Sequence, residues 1–106
     1  MDLKTNMADR PDDGTVVRRA LHFAGSVQGV GFRWRAVHAA NAVGATGWVR
    51  NDFDGGVSME IQGTEAQIDQ VLLAIERGTY IMIEAMTAAS IPAVEGERQF
   101  TVREDD

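Results

Sequence analysis

The chain has 106 residues, 44% apolar and 25% charged, and no cysteine. That length suits one domain around one core, and the lack of thiols excludes disulfides and thiolate metal sites. A formal net charge of −6 weighs against a nucleic-acid partner, whose phosphates are held mainly by Lys and Arg. The charge is unevenly spread. Residues 1–53 hold seven bases and five acids; residues 54–106 hold three bases and eleven acids. This is the pattern of a solvated acidic face in the second half, or of a local anion site in the first. Screening fades distant charge beyond about 8–10 Å, so one well-placed arginine can act beside an acidic surface. No apolar run approaches the roughly 18–20 residues of a membrane span. The segment Met1–Gly14 lacks the apolar stretch of a secretion signal, so a cytoplasmic protein without membrane contact is expected.

Residues 1–14 are polar, contain Pro11 and an acid pair, and are expected to form a flexible tail before a folded domain over 15–106. Val16–Gly25 reads as a strand, with Ala20, His22 and Ala24 on one side and Leu21 and Phe23 on the other. Phe32–Val43 has helical spacing: Ala36, Val37, Ala40 and Val43 share one face, and Gly44 supplies a stop. Thr46–Asn51 is strand-like around Trp48, and Asn51–Gly56 is dense in turn residues. Val57, Met59 and Ile61 then alternate with polar neighbours, which predicts a hairpin. Thr64 and Gln67 form a capping box ahead of Ile68, Val71, Leu72 and Ile75, a second helix closed by Gly78. Tyr80–Ser90 is an apolar, β-branched stretch stopped by Pro92, and Phe100–Val102 reads as a short last strand. The order predicts an α+β fold: a ferredoxin-like βαββαβ sandwich, with two helices on one face of an antiparallel sheet and a short C-terminal edge strand. That plan hosts many unrelated functions, so chemistry must come from particular residues.

Gly25, Gly29 and Gly31 lie in the connection between the first strand and the first helix, with Arg33 in the first helical turn. Glycines allow backbone N–H groups to converge into an anion nest, and a helix N-terminus aims its dipole at the same place. A cation at that terminus is mildly unfavourable unless an anion joins it, and the arginine fork fits phosphate oxygens. On spacing alone, an anion cradle and an ordinary glycine-rich turn both remain open. The segment lacks the Gly-Lys-Ser/Thr of a nucleotide phosphate loop and the dinucleotide pattern. Asn51, at the end of the second strand, carries a donor and an acceptor suited to orienting a water, and it is equally a residue that starts turns, so both readings are open. His22 and His38 are isolated in sequence, and no His, Cys or carboxylate cluster has metal-ligand spacing, so structural or surface roles are expected and no metal. Ser26 has neither a nucleophile-elbow pattern nor an evident base. Trp34 and Trp48 read as packing residues; Trp34, Arg35 and Arg50 are also candidates for shaping a site entrance.

The stretch Gly25-Ser26-Val27-Gln28-Gly29-Val30-Gly31-Phe32-Arg33 resembles the first signature of the acylphosphatase family. Gly47-Trp48-Val49-Arg50-Asn51, followed by Gly55, Val57 and Gly63, resembles the second, in the family's order and separation. The resemblance covers about residues 17–103. It departs where Gly78 is followed by Thr79 rather than proline, and it is weak over Ile81–Gln99. It implies a ferredoxin-like hydrolase that cleaves the carboxyl–phosphate bond of acyl phosphates, without cofactor, metal or phosphoenzyme. Arg33 and the backbone of Ser26, Val27, Gln28, Gly29, Val30 and Gly31 would hold the phosphoryl group. Asn51 would orient the attacking water. Partners would be a small acyl phosphate and the product inorganic phosphate, acting on a monomer. Two alternatives stand beside this reading. One is an acylphosphatase-like domain of the kind found in hydrogenase-maturation carbamoyltransferases. The other is a ferredoxin-like module binding RNA or a small ligand, which seven scattered aromatics and the acidic balance oppose.

Overall fold

The computed structural model describes residues 14–105, so the expected tail over residues 1–13 and the final Asp106 lie outside the described residues. The elements are β1 (Val17–Ser26), α1 (Phe32–Val43), β2 (Thr46–Asn51), β3 (Val57–Gly63), α2 (Glu65–Glu76), β4 (Met82–Ile91) and β5 (Phe100–Val102). The strands form one sheet in the order β4-β1-β3-β2-β5. The four long strands pair antiparallel, as the ferredoxin-like plan requires. β5 pairs parallel with β2, making the sheet mixed at that edge.

Local chemistry accounts for most boundaries. The capping box forms as expected: Thr64 Oγ1 accepts from Gln67 N at 3.1 Å, and Gln67 Oε1 accepts from Thr64 N at 2.8 Å. Gln67 also donates to Val43 O at 2.7 Å, joining the start of α2 to the end of α1. α1 ends on Gly44 with a left-handed φ of 83°, a conformation that Cβ-bearing residues avoid. The cap of α2 is Arg77 rather than Gly78; Gly78 follows it, donating to Ile75 O at 3.0 Å.

Alternation along the strands decides the faces. Leu21, Met59 and Val49 stand side by side in register, as do Phe23, Val57 and Asn51. These columns face the helices. Ala36, Ala40, Ile68, Val71 and Ile75 close the core from above, with Val37, Val43 and Leu72 partly buried at its margin. Asn51 therefore lies on the core side of the sheet, at the end of an apolar column. Because β1 and β2 both run antiparallel to β3, they run parallel to each other. Ser26, Asn51 and the residues after Val102 consequently emerge at one end of the sheet.

Candidate active site

That end is also where α1 begins. The Phe32 ring, at the first position of the helix, packs edge-on against Phe23 with centroids 4.9 Å apart. Phe23 stands in the column that ends in Asn51. One aromatic contact thus seats the start of α1, with Arg33 next in the chain, against the row of the sheet that holds Phe23. Val27 is buried and Val30 packs partly against the core. These two side chains anchor the loop from below, while Ser26, Gly29 and Gly31 are exposed. Gly29 and Gly31 have φ of 72° and 88°, and a Cβ on either would meet no atom within 4 Å. Their need for glycine is therefore conformational, a left-handed backbone that residues with a Cβ avoid.

Gln28 ties this loop to the β2–β3 turn. Its amide donates to the carbonyls of Asp52 and Gly56, both at 2.8 Å. Asn51 is 8% exposed, and no protein donor among the described residues reaches its buried Oδ1. An unpaired buried acceptor costs a fold about 1–3 kcal/mol. α1 has no side-chain N-cap and no acid in its first turn, so neither supplies an acceptor for the orphan N–H groups of that terminus. An open cavity of about 420 Å³ is lined by Gly29, Gly31, Arg33, Trp34 and Val102. Arg33 is partly exposed, and its Nη1 lies 3.2 Å from Asp105 Oδ1.

Three expectations need correction. Trp34 is not a packing residue: it is 64% exposed, borders the cavity with Arg33, and stacks on His38 with ring centroids 3.9 Å apart. Arg35 does not reach the entrance; it donates to Ala74 O at 3.0 Å and so ties α1 to α2. His22 is not isolated. Its Nε2 lies 3.0 Å from Asp54 Oδ2 and 3.4 Å from Asp52 Oδ2, since the antiparallel register sets β1 beside the hairpin turn. Asp52 further accepts from Arg50 at 3.1 Å and from Ser58, and Asp54 Oδ1 accepts from Gly56 N at 2.7 Å. This cluster braces the turn that follows Asn51, and no sequence spacing announced it. Trp48 is buried, but on the helix-free face, under the guanidinium groups of Arg50 at 5.1 Å and Arg103 at 4.3 Å.

A family model described as Acylphosphatase matches residues 19–102. "Acylphosphatase 1" of Ralstonia nicotianae is 34% identical over 88 residues, covering 82% of this chain and 86% of that protein. The crystal structure of acylphosphatase from Bacillus subtilis superposes with a TM-score of 0.74 at 26% identity, covering 82% of this chain and 98% of the other. Full-length HypF, in a phosphate- and nucleotide-bound form, gives a TM-score of 0.75 at 24% identity. That match covers 88% of this chain and 13% of HypF, and shows a shared fold. A model match spanning most of the chain and a relative at this identity and coverage place the protein: it belongs to the acylphosphatase family.

Proposed function

We propose that this acylphosphatase hydrolyses small acyl phosphates at the junction of the Ser26–Gly31 loop, Arg33 and Asn51. The observation that carries the reading is the meeting of those elements at one end of the sheet, with Asn51 Oδ1 buried and unpaired. The phosphoryl oxygens are held by the Arg33 fork and by backbone N–H groups of the loop and helix start. A water bound to Asn51 attacks phosphorus. The new P–O bond forms as the bond from phosphorus to the acyl oxygen breaks, and the carboxylate leaves with that electron pair. A phosphoryl oxygen accepts the water's proton, giving inorganic phosphate. Acyl phosphates have good leaving groups, so positioning and charge stabilisation supply most of what is required. On this reading no metal takes part, and the protein acts as a cytoplasmic monomer without a nucleic-acid partner. The net charge of −6 supports the last point, and among the described residues no helix is long and apolar enough to cross a membrane.

The test is hydrolysis of benzoyl phosphate in EDTA, followed by ultraviolet absorbance. Wild type is expected to turn over, with Arg33→Ala losing both turnover and competition by inorganic phosphate. Wild type that is folded but turns over only carbamoyl phosphate would move the substrate assignment; activity requiring added metal would refute the metal-free mechanism.

A further inference from the structure

Among the described residues the sheet has one parallel pairing, β5 against β2, and it has a geometric consequence. Val49 lies opposite Val102, and Arg103 N donates to Val49 O at 2.8 Å, so the backbone continues past β5 in the direction of β2. It therefore leaves the sheet at the same end as Asn51 and the glycine loop. Val102 lines the cavity that holds Arg33, and three residues on, the Asp105 carboxylate meets Arg33 Nη1 at 3.2 Å. The contact is single and exposed: the Arg33 side chain is 38% accessible and that of Asp105 is 64%. β5 is itself held from the other side, since Asn41 in α1 donates to Phe100 O at 3.2 Å and accepts from Phe100 N at 2.9 Å. The tether point is fixed, and only a short stretch of chain separates it from the carboxylate.

Resting on the assignment of Arg33 to the phosphoryl group, we propose that Asp105 is an intramolecular competitor for that arginine. A carboxylate and a phosphoryl group present the same kind of oxygen to the same fork, so both cannot occupy it fully. The molecule then has two states, with Asp105 on Arg33 or displaced from it, and phosphate binds the second. Apparent affinity is reduced by the fraction of molecules in the first. An exposed pair of this kind is weak, which sets the effect at about two- to sixfold. The competitor thus tunes the site's affinity for substrate and product without touching the water or the leaving group. Its exposure lets it be displaced without breaking any buried contact.

The experiment compares wild type, Asp105→Asn, Arg33→Ala and the double variant. It measures kcat and KM for benzoyl phosphate and the competitive inhibition constant of inorganic phosphate, with thermal unfolding to confirm that each is folded. For variants too slow to assay, phosphate binding is read by calorimetry. Asp105→Asn is expected to lower KM and the phosphate constant together by about two- to sixfold, with kcat unchanged. In the Arg33→Ala background the same substitution should leave phosphate binding unchanged. Unaltered constants in Asp105→Asn would overturn the proposal. A raised KM with a fall in kcat would also overturn it, and would show that Asp105 orients Arg33 instead. Failure of the underlying site reading looks different: Arg33→Ala would then bind phosphate as well as wild type, whatever Asp105→Asn did.

Discussion

Two arginines of this molecule stand at opposite extremes. Arg18, on β1, has a side chain only 2% exposed and makes four hydrogen bonds to protein acceptors. Its Nε donates to Glu60 at 3.0 Å, and its Nη1 donates to Glu97 at 2.8 Å and to Gln62 at 3.1 Å. Hydrogen bonding to Glu97 raises the Arg18 guanidinium above its ordinary value against the opposing effect of burial. Arg33 sits at the cavity with one long, exposed contact. The first guanidinium has its donors matched by fixed acceptors and ties β1 to β3 and to the segment before β5. The second is held at a helix start with its fork facing solvent, where a ligand can complete it. A cation's role is thus legible from how its donors are satisfied, more than from its residue type or position in sequence.

The comparison can be broken at either end. The largest effect expected is on Arg33→Ala, a loss of about 10²–10³ in kcat/KM with the unfolding midpoint nearly unchanged, as for removal of a main transition-state anion donor. Steady-state kinetics and thermal unfolding on one preparation check both halves. On the proposed mechanism Asn51→Ala should lower kcat by about 10–100-fold and leave phosphate competition largely intact, since the variant would lose water positioning and keep the anion clamp. It should also leave stability level or raise it, because the unpaired Oδ1 is a cost to the fold. A destabilised Asn51→Ala with normal turnover would reverse the assignment.

Arg18→Met should do the opposite of Arg33→Ala. It strands two partly buried carboxylates and is expected to cost about 2 kcal/mol of stability by denaturant titration, with kcat retained in the folded fraction. The smallest effect is on pH dependence. Burial acts to raise the Glu97 carboxyl, but hydrogen bonds from Arg18 and Thr46, with the positive charge of Arg18, outweigh it and hold the group below its ordinary value. A lowered folded value means that the native state binds this proton less readily than the unfolded chain. Its stabilisation is fully present above the ordinary glutamate range and is lost as pH falls through the folded value. Unfolding midpoints measured from neutral pH downward should fall less steeply in Glu97→Gln than in wild type.

Much of this molecule was legible in residue order because the signals concerned are local. Period-two alternation in Val57, Met59 and Ile61 and the helical spacing of Ile68, Val71 and Ile75 each fit within a few residues of chain. So does the Thr64–Gln67 capping box. The two glycine-containing motifs likewise carried the family, because each is a contiguous run. What neighbours in sequence cannot report is which side chains meet across a sheet. The parallel seat of β5 against β2, the burial of Asn51 in the row of Phe23 and Val57, and the bracing of the hairpin by His22 depend on which strands pair and in what register. Trp34 and Arg35 show the same limit: adjacent on one helix, one faces the cavity and the other crosses to α2 because successive helical residues point about 100° apart. Residue order alone carried the elements, their succession and the glycine-rich motif between β1 and α1. Which carboxylate reaches Arg33 and which acceptor stays unpaired follow from strand register and not from any local preference of the chain.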